Sequence, residues 1–173
     1  MPVSAAAPNN PGPGIISALG GTATLDDIDA VQEALLQNDT FMNRLDAIGA
    51  MCDRTHWTVS ENLSGPLGTP SGYEPKVVGR TFMVAEPGKK QELVDALLRM
   101  RDKISSDVKP MLSTPLSGPI SAVRITYIST RLQDLEDQRR EFLGNRARNA
   151  GLRGLVGQVP IFHLGRMVYR ASV

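Results

Sequence analysis

The stretch KVVGRTFMVAEPGKKQELVDALLRMRDKIS, Lys76 to Ser105, holds the clearest strand and the clearest helix of the chain. Residues 76–85 are rich in β-branched and aromatic side chains, which suit a pleated, half-buried surface. Glu86-Pro87-Gly88 ends that strand. From Lys89 to Ser105, Leu93, Leu97, Met100 and Ile104 recur at helical spacing, while Lys89, Lys90, Asp95, Arg99 and Lys103 occupy the remaining faces; the pattern predicts an amphipathic helix. Residues 109–119 read as a Pro/Ser-rich loop, and ISAVRITYIS (120–129) as the next strand. Thr130 with Gln133 has the spacing of a capping box, opening a helix to about Ala150 through Leu132, Leu135, Phe142 and Leu143. After the Gly-rich, basic 151–157, residues 159–171 close the chain as a strand. One face of it carries Val159, Ile161, His163, Met167 and Tyr169, and the other Phe162, Leu164, Arg166, Val168 and Arg170. The order from Lys76 is strand, helix, strand, helix, strand, a mixed α+β pattern.

Upstream, residues 1–13 hold Pro2, Pro8, Pro11 and Pro13 among small residues and read as a flexible arm. Residues 14–24 are apolar, then Gly-rich. Thr24 and Asp27 make a second capping pair, followed by a helix over 25–37. Asn38 breaks it as a left-handed end, Asp39 or Thr40 can cap the next helix, and Phe41, Leu45, Ile48 and Cys52 mark one face of that helix. Residues 55–63 (THWTVSENL) read as a strand. The Gly/Pro-rich 64–75 is the linker between an N-terminal part, 14–63, and the C-terminal half, 76–173. A faint repeat links the two. At a shift of 107 residues, Leu25, Asp27, Leu36, Asn38, Leu45 and His56 meet Leu132, Asp134, Leu143, Asn145, Leu152 and His163.

Composition excludes several classes. Lys+Arg number 19 against 18 Asp+Glu, for a formal charge of +1, which argues against a dedicated nucleic-acid binder. One cysteine, Cys52, rules out an intramolecular disulfide and a multi-cysteine zinc site, and two histidines make a poor metal centre. No metal is expected. No run of about 18 apolar residues is present to cross a bilayer, and the start of the chain lacks a signal peptide's basic and apolar regions, so a cytoplasmic protein is expected. No GK[ST], GxSxG, HExxH or GxGxxG motif occurs. Arg139, Arg140, Arg146, Arg148 and Arg153 near the end of the last helix read as a solvated face, where cations suit the helix dipole.

GRTFMVAEPGKKQELVDALLRM (79–100) and SAVRITYISTRLQDLEDQRREFL (121–143), with the closing IFHLGRMVYRA, resemble the dimeric α+β barrel superfamily, built on a ferredoxin-like β-α-β-β-α-β unit. TLDDIDAVQEALLQNDTFMNRL (24–45) looks like that unit's second helix and the turn after it. The resemblance implies ferredoxin-like units forming a dimeric α+β barrel, the N-terminal unit truncated and the C-terminal one a strand short unless residues 151–157 or a strand at Gly14 fills the gap. It also implies a homodimer without a bound cofactor that acts on a small aromatic or polyketide-like molecule. Members include cofactor-independent monooxygenases of antibiotic biosynthesis, cyclases and isomerases, haem-degrading enzymes and ligand-binding stress proteins. Both histidines here fall on expected strands, whereas haem-binding members ligate through a helix or loop.

Within that frame His163 is the candidate general base, since imidazole titrates near neutral pH, with Tyr169 and His56 as further catalytic candidates. The plainer reading of each histidine is a core side chain hydrogen-bonded to backbone. Trp57 could stack on an aromatic substrate, or simply fill core or interface. Arg166, Arg124 and Tyr127 could bind a carboxylate or phenolate, and Met167 could line the cleft. A non-enzymatic assembly subunit, such as a virion or tail component, also fits the Pro/Gly-rich arms and the few aromatics.

Overall fold

The β-branched run folds as β4 (Val77–Val84), the strand around which the rest is arranged. The computed structural model describes residues 3–6, 16–18, 24–50, 59–65, 69–116, 120–144 and 150–169. The remaining elements are β1 (Val3–Ala6), β2 (Ile16–Ala18), α1 (Leu25–Leu36), α2 (Asp39–Gly49), β3 (Ser60–Asn62), α3 (Lys90–Asp102), β5 (Met111–Pro115), β6 (Ala122–Ser129), α4 (Leu132–Leu143) and β7 (Ile161–Tyr169). They fall into two compact units, Leu19–Trp57 and the remainder, Met1–Ala18 with Thr58–Val173. No helix among the described residues is long and apolar enough to cross a membrane.

All seven strands lie in one antiparallel sheet of order β2-β1-β7-β4-β6-β5-β3. Helix α3 carries the chain from β4 to β5, leaving room for β6 between them, and α4 carries it from β6 past β4 to β7. The result is an α+β arrangement, β-α-β-β-α-β in chain order, compatible with a ferredoxin-like fold. It corrects the expectation of a missing strand, because β5 lies in the stretch read as a Pro/Ser-rich loop. Its signal is tertiary. Leu112, Ser113 and Thr114 are buried, and the hydroxyls are satisfied across strands, Thr114 Oγ1 donating to Ala122 O at 3.0 Å and Ser113 Oγ accepting from Arg124 Nε at 3.0 Å. Outside the fold, the same residues are turn-formers.

The N-terminal expectations also shift. Val3–Ala6, within the stretch read as an arm, is a strand paired with β7. Strands β2 and β3 flank the helical unit in sequence, yet each joins the same sheet, at opposite edges. Among the described residues there is one sheet, and no second ferredoxin-like half forms around α1 and α2. Helix α1 starts where its capping pair predicts, while α2 starts at the expected break with Asn38 itself as N-cap, in place of Asp39 or Thr40. Thr24 Oγ1 accepts from Asp27 N at 3.1 Å while Thr24 N donates to Asp27 Oδ2 at 2.8 Å, and Asn38 Oδ1 accepts from Phe41 N at 3.0 Å. Neither helix buries a residue.

Alternation along the strands gives the sheet two faces. Val77, Met83, Val123, Ile125 and Tyr127 form a core with Leu93, Leu97 and Met100 of α3 and Leu135 and Phe142 of α4. Burying each such leucine contributes on the order of 2 kcal/mol. Helix α4 is shorter than expected. Arg131 is its N-cap without a side-chain bond, Gln133 Nε2 donates along the helix to Asp137 Oδ1 at 3.0 Å, and Gly144 closes it. Close approach to the sheet is possible because β4 has Gly79 there. A Cβ on Gly79 would lie 2.9 Å from Leu135 Cδ2 and 2.9 Å from Phe162 Cε2. Over the same Phe162 ring lies the Arg139 guanidinium, 5.1 Å from its centroid. Glu136 holds that guanidinium at two points, accepting from Arg139 Nε at 2.7 Å and Nη2 at 2.8 Å, and it also accepts from Arg140 Nε at 3.0 Å.

Two outcomes follow from this packing. Gly79→Val should destabilise the protein by about 1–3 kcal/mol, measured as a lowered urea midpoint at unchanged slope; an unchanged midpoint would mean that α4 does not pack this closely. The hydrogen bonds from Arg139, then those from Arg140, hold the Glu136 carboxyl at about 2, below its ordinary 4.5. A lowered folded-state pKa gives stability that is full above the unfolded value and is lost as pH falls toward the folded one. Wild type should therefore lose stability between pH 4.5 and about 2, by less than about 1 kcal/mol because the pair is solvent-screened. Glu136→Gln should lack that increment in thermal melts across the window.

Candidate functional site

The period of two that buries Val77, Thr81 and Met83 beneath α3 and α4 turns Val78, Arg80 and Phe82 to the opposite face. Register then sets their neighbours. Arg80 pairs with His163 of β7 on one side and with Thr126 of β6 on the other; Phe82 pairs with Ile161 and Arg124; Arg124 pairs with Ser113. Two adjacent rows therefore run across the sheet, His163-Arg80-Thr126-Met111 and Ile161-Phe82-Arg124-Ser113. The His163 and Phe82 rings are 5.2 Å apart, tilted by 55°. At the next row the face becomes apolar, where Val78, Ile128 and Val108 cluster with Tyr73 and Met167.

The electrostatics of these rows are one-sided. Strands β4 to β7 contain no Asp or Glu, and among the described residues neither Arg80 nor Arg124 pairs with a carboxylate. Burial, and then the nearby Arg124 charge, push the Arg80 guanidinium down to about 10. Burial also lowers Arg124, whose Nε donates to Ser113 Oγ. Arg80 Nε and Nη2 and the Thr126 hydroxyl are shielded from solvent and have no hydrogen-bond partner among the described residues. Such an arrangement offers donors to an oxyanion, a ring against which an aromatic group can pack, and an exposed imidazole able to move a proton. No cluster of His, Cys, Asp or Glu able to hold a metal occurs among the described residues.

Of the residues singled out from sequence, His163 and Arg124 share this face, with Arg80 and Phe82 of β4 between them, and half-buried Met167 lies in the apolar cluster beside it. Tyr127 does not join them. It is on the α-helical face, fully buried, its ring edge-on to Phe142 at 6.2 Å. Burial raises its phenol above the usual range; the neighbouring Thr81 hydroxyl and Arg139 oppose this, although the Thr81 contact falls short of hydrogen-bond geometry. Arg166 is exposed opposite Val77, and β4 separates its strand from that of Arg124, so the two arginines are not cross-strand neighbours as expected. His56, Trp57 and the Tyr169 side chain lie outside the described residues.

Arg80, Thr126 and Ser113 were not recognised from sequence. The available signal was an arginine between Val78 and Phe82 in an otherwise apolar strand, at a position whose parity opposes that of Gly79. No protein-family model, curated protein or solved structure matches the chain.

Because the Tyr127 hydroxyl makes no hydrogen bond of good geometry among the described residues, Tyr127→Phe should change unfolding free energy by no more than about 1 kcal/mol. A loss above about 2 kcal/mol in denaturant titration would instead show a strong bond at that oxygen.

Proposed function

We propose that this protein is an enzyme acting on a small aromatic or polyketide-like molecule, without a bound cofactor, on the face that carries His163, Phe82 and Arg124. The observation that carries the reading is the imidazole beside an aromatic ring, with cations lacking carboxylate partners in the same two rows. The assembly proposed is the dimeric α+β barrel of the cytoplasmic enzymes that the sequence resembles, a second copy turning its sheet toward this face to enclose a cleft.

The chemistry begins with His163 taking a proton from a phenol or an activated carbon. The guanidinium groups offset the charge that develops on oxygen, and Phe82 holds the ring. Two branches share this step. In one, the substrate's carbanion reacts with dioxygen, so that a CH2 group and O2 become a carbonyl and water. In the other, the enolate closes on a carbonyl within the same molecule or is reprotonated elsewhere. General-base catalysis contributes about 10²–10⁴-fold. His163→Ala should accordingly lower kcat/KM for an anthrone or polyketone substrate by at least about 10², followed by oxygen uptake and product absorbance. Equal turnover by the variant and the wild type would sink the proposal.

A second reading, the assembly subunit, has its own observation. Helices α1 and α2 bury nothing, and Leu25 and Leu36 are 65% and 68% exposed. Such apolar surface suits subunit contacts. Gel filtration with light scattering separates the two: a discrete dimer supports the enzyme, and large assemblies support the structural role.

A further inference from the structure

Resting on that reading, we infer that the substrate arrives as an anion, an aromatic carboxylate whose two oxygens seat on the Nε–Nη2 edge of Arg80 with the Thr126 hydroxyl beside them. The chain shows what this edge of an arginine takes when it is satisfied. Arg139 presents Nε and Nη2 to the two oxygens of Glu136, at 2.7 and 2.8 Å. In Arg80 the same two nitrogens have no acceptor among the described residues and are closed to solvent. Leaving a buried charged donor unmet costs more than leaving a neutral one, so an acceptor that reaches this edge gains both the bond and relief of that cost.

Three features define the acceptor. The edge is a planar fork, which fits a carboxylate at two points. Arg124, in the next row, adds a like charge that lowers the Arg80 pKa, so an anion between the rows relieves both groups. Thr126, directly across from Arg80 and 3% exposed, has a hydroxyl that can donate to the same carboxylate. The ring attached to that carboxylate meets Phe82, two residues along β4 on the same face, and His163 stands opposite Arg80. A carboxylate fixed here therefore sets which ring carbon lies toward the imidazole, and selects ionised over neutral substrates.

The test is isothermal titration of the full-length protein with 1-naphthoate, its neutral analogue 1-naphthamide, and inorganic phosphate. Naphthoate should bind saturably, with naphthamide at least about tenfold weaker, because a buried fork left unmet by its ligand costs that much or more. Arg80→Met should lose at least about tenfold in naphthoate affinity, and Thr126→Val several-fold. If Arg80→Met does not fold, Arg80→Lys decides, since it keeps the charge but not the fork and should still lose several-fold. Equal binding of naphthoate and naphthamide, full affinity in the arginine variant that folds, or binding of phosphate alone would each overturn the inference. His163→Ala should retain naphthoate affinity. Absence of naphthoate binding alongside His163-dependent turnover removes only the inference, whereas naphthoate binding without any turnover removes only the enzyme reading.

Discussion

A slip of one residue in the pairing of β4 with its neighbours would carry Arg80 beneath α4 and turn Gly79 to the other face. The rest of the structure depends on that slip not happening. Strand β4 is paired with β6 over its whole length and with β7 from Val77 to Phe82, so one parity choice sets both faces of the central sheet. On one side it places Gly79 where Leu135 and Phe162 need room. On the other it sets Arg80 between His163 and Thr126. The penalty for the wrong choice is steep in both directions, because an arginine in the core would be an unpaired buried charge and any side chain at 79 would meet α4. Core packing and the cationic rows are thus consequences of the same register.

The clamp on β7 has the same economy. Glu136 fixes the Arg139 guanidinium, which lies over Phe162, and Phe162 in turn occupies the space above Gly79. On β7, Phe162 and His163 are consecutive and so point to opposite faces. Seating Phe162 under α4 therefore holds His163 on the face of Arg80. Contacts on the other side of the sheet thus set the face of the imidazole, and the Phe82 ring meets it on its own side.

What was legible in the sequence was local. Strand β4, helix α3, the Thr24 cap, strand β6 and strand β7 carry their signals in periodicity and capping chemistry, and they fold close to where those signals place them. Strand β5 was illegible because Ser113, Thr114 and Pro115 are turn-formers whose hydroxyls find partners only once β6 is beside them. Thr130 and Gln133 have capping spacing, but the helix begins later, at Leu132, where no such bond forms. The site was half legible. Parity placed His163 on the face that it occupies, opposite Arg80. Arg124 and Tyr127 were grouped although three residues apart on one strand, hence on opposite faces, and Arg166 was placed beside a strand from which β4 separates it. Strand order is a long-range property that a single sequence does not print.

Balance of charge over the whole chain concealed the imbalance that matters. With 19 basic and 18 acidic residues the sum is +1, which excluded a strongly basic nucleic-acid surface but said nothing of where the acids lie. Among the described residues they lie in helices, loops and β3; β4 to β7 have none, while Arg80, Arg124 and Arg166 stand in them. The acids that could neutralise a strand arginine are thus spent elsewhere, as Glu136 is on Arg139 and Arg140. Arg166 is exposed. Arg80 and Arg124 are half-buried, and burial lowers the pKa of both without bringing a carboxylate among the described residues to either. A stable fold with two such groups side by side is one whose remaining stabilisation offsets their cost, and natural sequences leave that kind of local conflict where function requires it.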